Sequence, residues 1–169
     1  SGGLSMKALT IWQPWASLIA IGAKPYEFRG WAAPRALRGQ RIVIHSGVRP
    51  MRRQELQALW LRLTGREPWR TGLVADKALP LLKRVMAGLA LPMGHGLGTA
   101  ILGEPTKNPD LPGMPACGDG LSDSDRNEHC NYAWPLTDWQ DFAPPIPCRG
   151  AQGFWDWPSD LRQSGDALG

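Results

Sequence analysis

The stretch Gly22-Ala-Lys-Pro-Tyr-Glu-Phe-Arg-Gly-Trp31 places an ammonium, a carboxylate, a guanidinium and an indole side by side. Two kinds of chemistry suit such a set. Lys24 and Arg29 can grip an anion such as phosphate, with Glu27 orienting both through charge-assisted hydrogen bonds and Trp31 offering a stacking face. Alternatively, Lys24 and Glu27 can relay a proton or stabilise a developing oxyanion, with His45 and Tyr26 assisting proton transfer. No metal and no cofactor is expected. Cys117, His129 and Cys130 match no common zinc spacing, two of them being adjacent.

Charge is distributed unevenly around this stretch. Between Lys24 and Arg53 the basic residues are Lys24, Arg29, Arg35, Arg38, Arg41, Arg49, Arg52 and Arg53, against the single acid Glu27. Between 107 and 130 the balance reverses, with Asp110, Asp119, Asp123, Asp125 and Glu128 against Lys107 and Arg126. An arginine-rich pole suits phosphate, because the guanidinium fork meets two of its oxygens at once. Lys24, Arg29, Arg38 and Arg41 are therefore candidate nucleic-acid contacts, and Trp12 and Trp31 candidate stacking platforms. The charged signature is expected to open on one cleft shared with the basic segment 35–41.

The elements that must position these groups follow from periodicity. Lys7–Trp12 alternates and reads as a first strand. Pro14 suits the start of a helix, and Trp15, Leu18, Ile19 and Gly22 continue it at i, i+3, i+4 and i+7. Gly22 is a natural stop. Pro25 and the period-two run Tyr26–Arg29 predict a short edge strand, with Glu27 and Arg29 on one face and Tyr26 and Phe28 anchoring the other. Arg41–His45 is apolar enough for a central strand. Leu56, Leu59, Trp60 and Leu63 predict one helix; Leu82, Val85, Met86 and Leu89 predict another, with Asp76 as its N-cap. Thr99–Gly103, Asn131–Leu136 and Gly150–Trp155 read as later strands, and 107–130 as an acidic loop insertion. Trp15, Leu18, Ile19, Ile42 and Ile44 are the expected interior.

With 169 residues, 43% hydrophobic and 20% charged, the chain is expected to form one mixed α/β (α+β) domain over 6–157. Residues 1–5 read as an expression leader and 158–169 as a polar tail. Three cysteines without a C-x-x-C pair argue against a disulfide framework, which points to a reducing cytoplasm. No run approaches the ~20 apolar residues of a membrane span.

Gly22-x-Lys24-x-x-Glu27-x-Arg29 resembles the G-x-K-x-x-E-x-R signature of ASCH domains, a branch of the PUA-like superfamily. Leu9–Ala16 is similar to the opening of one ASCH subset, and Trp31, Arg38-Gly39 and Ile42–His45 continue the likeness in order. Tyr132-Ala-Trp134 and Gly150–Trp155 resemble the closing strands. The resemblance implies a PUA-like β-barrel with flanking helices that binds RNA or nucleotides in a cleft lined by the signature. It also implies an alternative, hydrolysis in the same cleft: metal-independent RNA cleavage, or removal of an acyl group from modified cytidine. Two departures stand out. Trp12 replaces an arginine of the opening motif, and Glu27 stands where deacylating relatives carry a hydroxyl residue.

Overall fold

A computed structural model describes residues 5–107 and 132–161. Residues 1–4 of the expected leader, the expected acidic insertion beyond Lys107, and the tail from 162 lie outside the described residues.

The first strand, β1 (Lys7–Ile11), ends at a short helix, α1 (Trp15–Ala20). Pro14 sits one position before that helix, as its N-cap, and Gly22 leaves it with φ 77°, the left-handed conformation glycine adopts without penalty. The signature strand β2 (Tyr26–Arg29) and β3 (Arg41–Ser46) lie on either side of a single 3-10 turn at Arg35–Leu37. Helices α2 (Arg53–Leu63) and α3 (Ala75–Met86) follow, separated by a second 3-10 turn at Pro68–Thr71. The chain closes with β4 (His95–Leu102), β5 (Thr106–Lys107), β6 (Tyr132–Pro147) and β7 (Phe154–Asp156).

Several boundaries differ from the sequence expectation. Val74, in extended conformation, is the N-cap of α3; Asp76 lies in the first turn, where its carboxylate faces the positive end of the helix dipole. Leu89 falls past the end of α3 yet still packs on the helical cluster. Strand β4 starts four residues earlier than expected, since Gly96 and Gly98 belong to the strand rather than to a turn. Strand β6 runs for 16 residues, well beyond Leu136, through prolines that read as breakers. Two register shifts against β4, and Asp138 at φ 52°, let it bend instead of ending.

The seven strands form one sheet in the order β2-β6-β4-β3-β1-β7, with β5 also on β6. Strands β1 and β3 are parallel and the other pairs antiparallel. Strands β6 and β7 are four steps apart in this order, about 19 Å in a flat sheet. Nevertheless the Trp134 and Phe154 rings, one from each, stack at 5.8 Å. The sheet is therefore curled into a half-barrel.

Its concave side holds Leu9, Ile11, Ile42, Ile44, Ala100, Leu102 and Trp134, plugged by Ala16 and Ile19 of α1. Leu18 faces the other way, into a cluster with Leu56, Leu59, Leu63, Leu82 and Val85 of α2 and α3. Trp15 is half-buried between the two. On the convex face Ala8 and Val43 pack with Phe142 and Trp157. Among the described residues no helix is long and apolar enough to cross a membrane.

Two close approaches to β4 depend on side chains that are absent. A Cβ on Gly98 would stand 2.3 Å from the carbonyl oxygen of Gln140, and one on Gly96 would stand 2.5 Å from the Trp157 ring. Because the Gln140 oxygen is backbone, it cannot step aside. The substitution Gly98→Ala is expected to lower stability by about 1–3 kcal/mol, as overpacking does; urea unfolding of the variant against the parent measures it.

Candidate functional site

The turn at Gly22 delivers Lys24 to the start of β2, and cross-strand pairing of Glu27 with Trp134 puts both side chains on the concave face. Glu27 has no exposed surface and Lys24 only 1%. The carboxylate is held from three directions. Arg29 donates from Nη2 to Oε2 at 3.0 Å, the Phe28 amide donates to Oε1 at 3.2 Å, and the Lys24 ammonium lies 3.7 Å from Oε1. Aromatic faces complete the surroundings. The Lys24 ammonium stands 4.9 Å from the centre of the Phe28 ring, and the Arg29 guanidinium 5.9 Å from that of Trp134. Placing two cations on aromatic faces in a low-dielectric setting strengthens both attractions.

The expected alternation along β2 holds. Tyr26 and Phe28 share the other face, their rings 6.3 Å apart, with Phe28 buried and Tyr26 half-buried. Just past the strand, Trp31 is 53% exposed, and its carbonyl accepts a hydrogen bond from the Trp134 indole at 3.0 Å. The structure thus gathers Lys24, Glu27, Arg29 and Trp134 and fixes the backbone of Trp31 beside them.

The other candidates lie elsewhere or are engaged. Arg38 bonds the Ala33 carbonyl and the Glu104 carboxylate. Arg41 alternates with the inward Ile42, so it projects from the convex side, where it bonds Thr99 and both the carbonyl and carboxylate of Asp138. Trp12, partly exposed at the end of β1, carries the Arg49 guanidinium 4.2 Å over its ring. Arg49 in turn makes two hydrogen bonds to Glu55, and these hold that carboxyl below its ordinary pKa. No sequence signal marks the Arg49–Trp12 stack, since Arg49 is one more charge in a basic run.

His45 is wholly buried on the convex face, next to the carbonyl of Cys148. Because a carbonyl only accepts, Nε2 carries the proton and donates to it at 2.6 Å. Nδ1 is then the acceptor from the Thr10 hydroxyl at 3.1 Å, and that oxygen accepts from the Trp155 indole at 3.0 Å. Trp155 also meets the imidazole edge-on at 5.2 Å. Both ring nitrogens are occupied in a neutral network, so this histidine packs the fold. Another missed residue is Gln13, buried and bonded to the Ser17 amide and hydroxyl and to the Pro92 carbonyl.

Among the described residues no cluster of metal-ligating side chains forms. Two cavities lie away from the Lys24–Glu27–Arg29 group: an apolar one between α1, α3 and β6, and one framed by Arg62, Arg66 and Arg70. No family model matches the chain, and no curated protein matches it.

Two consequences are measurable. The change Glu27→Gln leaves two cations around a neutral amide, and removing one partner of a buried ion pair costs about 3–5 kcal/mol. A loss of that size is expected in chemical unfolding, with Lys7→Gln, at an exposed pair with Asp156, as the near-neutral comparison. The second concerns pH. Burial, with a smaller contribution from nearby His95, holds the His45 pKa below the ordinary 6.5 despite the opposing hydrogen bond to Cys148. The unfolded chain therefore binds a proton that the folded one refuses. Stability is complete above pH 6.5 and falls as pH drops from there towards the folded-state value. The thermal midpoint is expected to decline between about pH 7.5 and about pH 5.5, and less steeply in His45→Asn.

Proposed function

We propose that this chain is an ASCH-type domain of the PUA-like superfamily that binds RNA or a nucleotide at the Lys24–Glu27–Arg29 signature. The observation that carries the reading is the pre-set arginine. Glu27, itself buried, holds the Arg29 guanidinium at the strand end, where it keeps about 20% exposure two residues before the exposed Trp31. A fixed cation two residues from an exposed indole suits a phosphate contact near a stacking platform, and little side-chain entropy of the arginine is left to lose on binding. The curled sheet, with the signature on its concave edge strand, is compatible with a barrel-like member of that superfamily.

The hydrolytic alternative in the same place has less support. It needs Lys24 and Glu27 at a scissile bond, whereas both are buried and Glu27 is already bonded by Arg29 and by backbone. His45, the assisting group in that scheme, sits in its own closed network on the other face of the sheet.

Stacking of one base on an aromatic side chain contributes about 1–3 kcal/mol, so Trp31→Ala is expected to weaken binding of a labelled oligoribonucleotide roughly 5- to 150-fold. Fluorescence anisotropy at fixed moderate salt reads this directly, and an unchanged melting temperature separates it from unfolding. Equal affinity of variant and parent would defeat the assignment of Trp31.

A further inference from the structure

The second cavity described above, about 400 Å³, is lined by Arg62, Gly65, Arg66, Glu67, Arg70 and Thr71. Arg62 belongs to the last turn of α2, where a cation complements the negative end of the helix dipole. That explanation stops at the helix end. Arg66 lies beyond it, and the 3-10 turn at Pro68–Thr71 folds the chain so that Arg70 lines the same cavity. Arg62, Arg66 and Arg70 thus line one cavity together with Glu67, whose carboxylate takes a 2.9 Å hydrogen bond from Arg70.

The frame is fixed by backbone. The Arg70 amide bonds the Glu67 carbonyl, the Gly72 amide bonds that of Trp69, and the Thr71 hydroxyl donates to the Pro68 carbonyl while accepting from the Leu73 amide. Gly72, at φ 72°, closes the turn. Trp69, 53% exposed, stands within this turn, an indole next to an arginine as in the Arg29–Trp31 region.

The cavity is also tethered to the signature. Three residues after Thr71, the Val74 amide donates to the Ala23 carbonyl at 2.8 Å, and Ala23 adjoins Lys24. Three residues span at most about 11 Å of chain, so the Thr71 backbone lies within about 20 Å of that of Lys24. Trp31 follows Lys24 by seven residues, at most about 25 Å more of chain, and a strand of several nucleotides covers the combined distance.

We propose that the Arg62–Arg66–Arg70 cavity binds phosphate, that of an RNA strand whose base stacks on Trp31. This rests on the RNA reading of the signature and assigns it a second, purely electrostatic contact. Planar forks in a preformed concavity suit phosphate oxygens, and an exposed tryptophan in the same turn suits a base.

Binding of a labelled oligouridylate measured across salt concentrations tests it. For single strands each phosphate contact contributes about 0.7 to the slope of log affinity against log salt. Arg62→Gln/Arg66→Gln/Arg70→Gln is expected to flatten the slope by roughly 2, from three contacts at about 0.7 each, whereas Trp31→Ala weakens binding with the slope unchanged. Arg66→Gln alone, at an exposed position, should flatten it by about 0.7 and serves if the triple variant fails to fold. An unchanged slope in these variants, with Trp31→Ala still impaired, overturns the cavity proposal and leaves the signature reading intact. If the parent protein binds no oligouridylate, the signature reading falls and the RNA part of this proposal with it. Inorganic phosphate followed on the arginine Nε resonances then reads the cavity separately: shifts at Arg62, Arg66 and Arg70 uphold phosphate binding there, and their absence removes it.

Discussion

Burying the Glu27 carboxylate is the constraint around which this end of the molecule is organised. A carboxylate without exposed surface is tolerable only with opposite charge and hydrogen-bond donors close by. Each neighbour that meets this demand comes from a different feature of the chain. Arg29 arrives by strand alternation, Lys24 by the turn at Gly22, and the Phe28 amide from the strand itself. The aromatic surfaces behind the cations, Phe28 and Trp134, come from opposite faces of the paired strands β2 and β6. The charged signature is thus as much a folding device as a candidate site, and the two roles agree: a cation locked in place for stability is also preorganised for an anion.

Trp134 links this group to the rest of the fold. Its ring underlies Arg29 and stacks on Phe154, and its indole N–H holds the Trp31 carbonyl. One side chain therefore ties the edge carrying the signature to the opposite edge of the sheet and to the segment that presents Trp31. Gly98 lets β4 and β6 cross closely, and Gly96 lets the Trp157 ring pack against β4. The convex face has a separate organisation, in which Thr10, His45, Trp155 and the Cys148 carbonyl satisfy one another. Gly150 is packed so closely there that a Cβ would stand 2.6 Å from the imidazole.

The arginines among the described residues sit in different settings. Arg29 is fixed by a buried acid, Arg38 and Arg41 by Glu104 and Asp138, which are largely exposed, and Arg62, Arg66 and Arg70 frame a concavity. A count of basic residues treats them alike. Their value to an anion differs, because an exposed partner can exchange for a ligand at small cost whereas a buried one holds the guanidinium in a single pose.

The local order of the structure is written in the chain. Alternation in Lys7–Ile11, Tyr26–Arg29 and Arg41–His45, helical spacing in α1, α2 and α3, and the stop at Gly22 are short-range properties, set by side-chain direction and backbone sterics within a few residues. The sequence also marks Lys24, Glu27 and Arg29 as a group, since five residues of chain cannot carry them far apart. Where these elements face is set by long-range packing. The inward Glu27 and the outward Arg41 follow from pairing across the sheet, not from their neighbours in sequence. The length of β6 was hidden because prolines break local patterns while bulges and a bent path accommodate them. The cavity of Arg62, Arg66 and Arg70 was hidden for a similar reason. Residues beyond the end of a helix have no periodicity, and a turn fixed by backbone hydrogen bonds brings them together.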